Sequence, residues 1–149
     1  IDSIIEDKTK ESFRRTLDVN LIGTFLVCKY ASKYMDNGAI VNISSTNSIN
    51  SYYPFSADYD ASKAGINVLT KNLAVEFAPK IRVNAVAPGW VNTEMNETLD
   101  EEFINKELDK ITLKRFANPS EIAKVVYFLS SEDSSYINGE IIVVDGGRN

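Results

Sequence analysis

The chain has no histidine among its 149 residues. That absence removes Ser-His-Asp catalysis, Cys-His catalysis and the usual zinc ligand sets together. It has one cysteine, Cys28, so no intrachain disulfide is possible, which fits a reducing compartment, the cytoplasm. No apolar run approaches the length of a membrane span, and no membrane insertion is expected. Positive charge is in short supply, with 16 Lys and Arg against 21 Asp and Glu for a net charge of -5. This argues against a nucleic-acid surface, although one local cation suffices to hold a phosphorylated ligand. No initiator Met, signal peptide or basic presequence opens the sequence. It reads as cut from something longer, with a processed mature terminus as the alternative. No repeat, low-complexity tract or Pro/Gly/Ser linker divides it, so a single domain is expected.

What is present is an alternation of helical and strand patterns. Residues 9–35 have helical spacing, with Phe13, Leu17, Leu21, Phe25 and Cys28 on one stripe. Asp7 or Thr9 is placed to cap this helix and Asn37-Gly38 to stop it. Residues 39–43 form a short apolar run, the mark of a buried strand, and residues 44–54 a polar loop. A second helix spans 57–77, ended by Ala78-Pro79, and a second strand spans 81–87, stopped by Pro88-Gly89. The charged stretch 93–111 suggests one or two small helices. A helix over 119–130 has Ser120 as its expected cap and Ile122, Val125, Val126 and Leu129 as its apolar face. A third strand, 140–144, closes on Asp145-Gly146-Gly147. Alternating strands and helices imply a parallel sheet covered by helices, an α/β chain with a partial doubly wound, Rossmann-like sheet of three strands. Ile40, Val41 and Ile43 are too apolar for an open edge, which points to a neighbouring strand outside this sequence.

Several residues could carry chemistry, each with a plainer reading beside it. Tyr59 and Lys63 are four apart, on one face of a helix. An ammonium near a phenol lowers the phenol pKa and makes it an acid/base group, yet Tyr-x-x-x-Lys also arises by chance. Ser44 and Ser45 sit where the first strand ends, the edge at which parallel sheets bind ligands, although Thr46, Asn47 and Ser48 offer similar chemistry. Asn20 lies inside the first helix, where asparagine is a mediocre helix former. It either faces solvent or lets a water enter and relay protons. Residues 84–93 turn the chain after the second strand and expose backbone N–H groups, or are only a turn. Met35, Phe25 and the tyrosines at helical spacing read as core.

Together these pieces resemble the short-chain dehydrogenase/reductase family, and the resemblance runs through almost the whole chain. Residues 16–25 (TLDVNLIGTF) resemble the helix bearing the family's asparagine, and 40–45 (IVNISS) its serine-bearing strand end. Residues 59–65 (YDASKAG) resemble its active-site helix, and 82–89 (RVNAVAPG) with Thr93 its nicotinamide-carboxamide loop. Residues 115–123 (RFANPSEIA) and 142–147 (IVVDGG) resemble its closing segments. The resemblance implies Tyr59 as general acid/base. Lys63 would bind the nicotinamide ribose and depress the tyrosine pKa, Ser45 would polarise the substrate carbonyl, and Asn20 would hold a relay water behind Lys63. Pro88, Gly89, Val91 and Thr93 would border the nicotinamide end of NAD or NADP, with no metal. Counting back from Tyr59 selects Thr46 instead of Ser45, because the intervening loop is one residue longer than the common pattern; the strand end favours Ser45.

The family's first half is missing from the sequence: no Gly-rich turn joins a strand to a helix, so the cofactor diphosphate has no helix N-terminus to rest on. The chain alone is expected to bind NAD(P) poorly. By resemblance the function is hydride transfer between a nicotinamide cofactor and a carbonyl or alcohol, with residues 95–114 covering the substrate. The pattern is similar to 3-oxoacyl-acyl-carrier-protein reductases first, and to sugar-alcohol, glucose or diol dehydrogenases next. A non-catalytic oligomerisation remnant is the alternative of another class. The expected partners are a small molecule and further copies of the chain, as homodimer or homotetramer through the two long helices.

Overall fold

The structure, a computed structural model, describes residues 3–50, 52–94 and 99–148. Strands β1 (Gly38–Ile43), β2 (Ile81–Pro88) and β3 (Ile141–Val144) run parallel in the order β1-β2-β3. The register pairs Ile40 with Val83 and Ile43 with Val86 on one side of β2, and Val86 with Ile142 on the other. Helices α1 (Lys10–Leu17), α2 (Gly23–Ala31), α3 (Ala57–Glu76), α4 (Glu101–Lys110) and α5 (Pro119–Ser130) surround this sheet. None of the described helices is long and apolar enough to cross a membrane.

The central strand explains the layering. Val83, Ala85, Val86 and Ala87 are fully buried on both faces of the sheet, as a strand between two helical layers requires. Cys28, Leu73 and Ala74 pack with its Ile81 and Val83 in one core, with Met35, Ile40, Leu69 and Phe77 at the margin. β1 is an edge of the three-stranded sheet, and its Ile43 is 46% exposed. This is the apolar edge that the sequence pattern anticipated.

The first helix departs from expectation. It is not continuous over 9–35 but divides at a π turn, Asp18–Ile22, in which the Gly23 N–H bonds Asp18 O. Thr9, not Asp7, is its cap, accepting from the Ser12 N–H at 3.1 Å. The helix stops at Ala31, well before Asn37-Gly38, as the Ser32 hydroxyl takes the Lys29 carbonyl. Gly38 instead opens β1 at φ 138°, a value that side chains resist. The π turn presses on α3 at Gly65, where an added Cβ would come within 2.7 Å of Leu21 Cδ2. Ser120 does not cap α5 either. Pro119 takes the first helical position, Asn118 is the cap, and Glu121 Oε2 accepts the Asn118 N–H at 2.8 Å. Two core assignments also fail. Phe25 is 38% exposed, and the helical tyrosines Tyr30 on α2 and Tyr127 on α5 are exposed as well. Met35 does pack into the core.

Candidate active site

The C-terminal ends of β1 and β2 open into one cavity of about 750 Å³. On one side β1 ends at Ser44, whose N–H continues the sheet ladder to Val86 O at 2.7 Å. Ser45 follows with extended backbone, and its Oγ accepts the Asn47 N–H at 3.2 Å, capping a one-turn 3-10 helix. Ser44 is spent on structure, its hydroxyl reaching Lys63 O and Ser48 Oγ. Thr46 also borders the cavity, but the side chain that draws the Tyr59 pKa down is that of Ser45.

Helix α3 brings the other groups. Tyr59 lies in its first turn and Lys63 one turn on, both facing the cavity. Lys63 Nζ stands 5.6 Å from the centroid of the Tyr59 ring and donates to Ile43 O at 2.9 Å. Asn20 is behind this pair, outside the cavity. Its Nδ2 donates to Ser62 Oγ at 3.0 Å, and Ser62 in turn donates to Tyr59 O at 2.7 Å. The Asn20 carbonyl accepts from Thr24 Oγ1 at 2.7 Å. Asparagine here is therefore neither solvent-facing nor idle, and the π turn is what aims it at α3.

The electrostatics correct the sequence argument about the phenol. Burial pushes the Tyr59 pKa up, with Asp60 adding to the effect, and the Ser45 bond offsets only part of it. Burial also pushes Lys63 down. A spacing of four does bring ammonium and phenol together, but Lys63 gives its N–H to a carbonyl and both groups lose water. Desolvation outweighs the attraction.

Pro88, Gly89, Val91 and Thr93 form the floor beyond β2. Gly89 is required there, since a Cβ would meet Asp145 Cβ at 2.9 Å. Asn84 does not face the cavity; it ties β2 to the β3 side, donating to Ile137 O and accepting the Glu140 N–H, both at 2.9 Å. The donor set of Tyr59, Ser45 and Lys63 above this flat floor fits the nicotinamide and ribose end of a dinucleotide. Nothing in the sequence offers the Gly-rich turn that the diphosphate needs.

The opposite wall escaped sequence reasoning. Tyr53, Phe55, Trp90, Phe103 and Arg148 line it, with Leu99. The one available signal was Trp90, the single tryptophan, directly after Pro88-Gly89. Of the stretch expected to cover the substrate, residues 95–98 lie outside the described residues, while α4 supplies Phe103.

Comparison with known proteins places the chain in a family. The family model described as enoyl-(acyl carrier protein) reductase matches residues 2–149. A 3-oxoacyl-[acyl-carrier-protein] reductase of Thermotoga maritima is 43% identical over 98% of this chain and 61% of its own length. Glucose 1-dehydrogenase 2 of Bacillus subtilis is 40% identical over 99% and 59%. Among solved structures, a gluconate 5-dehydrogenase from Burkholderia cenocepacia, in complex with NADP and tartrate, superposes with a TM-score of 0.93 at 29% identity, over 99% of this chain and 60% of that one. The chain thus spans about three-fifths of the length of the relatives it matches. In fold and in sequence, it belongs to the short-chain dehydrogenase/reductase family.

Proposed function

We propose that this chain carries the reacting groups of an NAD(P)-dependent oxidoreductase that interconverts a carbonyl and an alcohol, in the manner of a 3-oxoacyl-acyl-carrier-protein reductase. One observation carries the reading: the Tyr59 phenol and the Ser45 hydroxyl line one cavity with Lys63, one turn from Tyr59. In the reducing direction the Tyr59 O–H gives its proton to the carbonyl oxygen, which Ser45 holds by a hydrogen bond. A phenol whose pKa is pushed up is protonated at neutral pH and ready to donate. A bound nicotinamide supplies the hydride. Lys63 would hold the ribose of a bound nicotinamide and set its charge beside the phenolate that Tyr59 becomes. Asn20, through Ser62 and the Tyr59 carbonyl, keeps the first turn of α3 in register and borders the route by which a proton returns.

The relatives' length and the apolar edge of β1 support a domain continued by further strands and a Gly-rich turn, which hold the diphosphate. The exposed apolar side chains Val19, Ile22, Leu26 and Val27 on the first helical pair favour assembly of copies into a homodimer or homotetramer. A cytoplasmic enzyme acting on a small molecule fits the single reduced cysteine. The test is Tyr59→Phe in the complete protein. Turnover should fall at least 1,000-fold while nicotinamide binding persists, and turnover within tenfold of wild type overturns the assignment.

A further inference from the structure

The Ser45 hydroxyl is tied to α3 through a single residue, Asn47. The Asn47 N–H donates to Ser45 Oγ at 3.2 Å. The side chain of the same residue reaches α3, where its Nδ2 donates to Asp60 Oδ1 at 2.9 Å. A second tie lies two helical turns on: Asn67 Nδ2 donates to Ser48 Oγ at 2.8 Å. Asp60 and Asn67 share the face of α3 on which Lys63 lies between them. The one-turn helix at 46–48 is therefore fastened to α3 at two points. The Asn67 tie runs on through the Ser48 hydroxyl to the Ser45 carbonyl, whereas the Asp60 tie runs on to the Ser45 hydroxyl.

That difference bears on chemistry. A hydroxyl has one O–H to give and two lone pairs that accept. With the Asn47 N–H on one lone pair, the O–H of Ser45 is turned away from Asn47, and both residues line the cavity. Ser45 is 8% exposed, so little water competes to turn it elsewhere. Asp60 is not among the residues that line the cavity. Resting on the oxidoreductase reading above, we propose that Asp60 is a positioning residue for carbonyl reduction: through Asn47 it fixes the direction in which Ser45 presents its O–H to the substrate oxygen. Asp60 also acts on the neighbouring phenol, since its charge adds to the rise in the Tyr59 pKa that burial causes. The two effects are separable, because Asp60→Asn removes the charge and keeps a side-chain oxygen to which Asn47 can donate.

The test is steady-state kinetics of the complete protein with the N-acetylcysteamine thioester of 3-oxobutanoate, beside amide exchange of the chain itself read by NMR. Asp60→Ala and Asn47→Ala should each lower kcat about tenfold, the worth of one hydrogen bond, with KM changed less than about twofold. The double variant should be no slower than either single one, since both cut the same link. Asp60→Asn should keep kcat within about threefold of wild type. Asn47→Asp sets two carboxylates together and should be slow. Adding Asp60→Asn to it restores the bond with donor and acceptor exchanged, and should restore the rate. Asn67→Ala removes only the second tie and should lower the thermal midpoint while kcat stays within about twofold. Exchange of the Asn47 backbone amide should quicken about tenfold in Asp60→Ala and stay near wild type in Asp60→Asn. A kcat for Asp60→Ala within about twofold of wild type, or a loss carried by KM alone, overturns the proposal. So do losses that multiply in the double variant, no rescue by the exchanged pair, or an equal fall of kcat in Asn67→Ala. Should Asp60→Ala not fold, Asn47→Asp and its exchanged pair decide. If Tyr59→Phe abolishes turnover while Asp60→Ala leaves it intact, the oxidoreductase reading stands and this inference alone fails. If Tyr59→Phe stays active, the catalytic reading fails and takes this inference with it, even where amide exchange shows the tie to be real.

Discussion

The turn that carries Tyr59 is held by a buried ion pair, and removing one partner should cost far more than a surface salt bridge. Lys8 Nζ lies 2.7 Å from Asp58 Oδ1, with side-chain exposures of 1% and 6%. The same ammonium donates to Phe55 O at 3.3 Å, and Thr16 Oγ1 donates to Asp58 Oδ2 at 2.7 Å. Burial would raise the Asp58 pKa, but Lys8 and Thr16 outweigh it and hold the carboxyl below its ordinary value. In Lys8→Met the aliphatic stem is kept and the charge is lost, so Asp58 is left ionised, buried and without its cation. Breaking such a pair costs about 3–5 kcal/mol. With a urea slope of about 2 kcal/mol/M, the unfolding midpoint should fall by about 2 M.

The pH dependence separates this account from lost packing. A carboxyl whose folded pKa is depressed contributes stability that is present above its unfolded value, about 3.9, and is lost as pH falls through the folded value. In Lys8→Met that contribution is gone, and the isolated Asp58 takes up a proton early. The deficit between wild type and variant should therefore shrink as pH drops from 7 to 3, read by urea unfolding followed by circular dichroism. A deficit under about 1 kcal/mol at pH 7, or one unchanged at pH 3, refutes the reasoning.

Three further outcomes are expected. Gly65→Ala should destabilise the chain by about 1–3 kcal/mol, since its methyl meets Leu21 Cδ2 at 2.7 Å, and the loss should appear in thermal unfolding; a neutral effect would mean the π turn yields freely. The difference in phenolate absorbance between wild type and Tyr59→Phe, in the absence of cofactor, should titrate above pH 10 because burial pushes that phenol up; a midpoint near 7 would restore the ammonium as the dominant influence. Glu107, held at about 2, gives stability that is complete above its unfolded pKa near 4.3 and disappears as pH falls toward 2. Glu107→Gln should accordingly flatten the acid limb of stability against pH, and a variant with an unchanged limb would place the acid sensitivity elsewhere.

The parts of this structure that were legible in the sequence are those set by short-range patterning. The run at residues 81–87 is apolar enough to be a central strand whatever surrounds it, and Val83 to Ala87 are buried. Tyr59 and Lys63 share a face because a helix repeats every 3.6 residues. What sequence pattern missed was decided by distant partners. The π turn packs against a glycine far along the chain, Gly65, and the weak helix former Asn20 is the one local hint of irregularity at Asp18–Ile22. Glu107 sits in a charged stretch that reads as a solvated face, and its burial follows from Tyr53, Trp90 and Arg148, all contributed by other segments. The direction of the Tyr59 pKa was misread for the same reason: spacing reports that two groups are neighbours, whereas desolvation depends on everything else around them.

That correction bears on how such a site works. Burial moves Tyr59 up and Lys63 down, so both are biased toward their uncharged forms before any ligand arrives. A phenol in that state is a proton donor at rest and a poor base, which suits reduction of a carbonyl. Oxidation of an alcohol in the same cavity needs the phenolate, hence a stronger cation beside it. Lys63 meanwhile donates to Ile43 O at 2.9 Å, so the end of β1 engages the same ammonium that stands beside the Tyr59 ring.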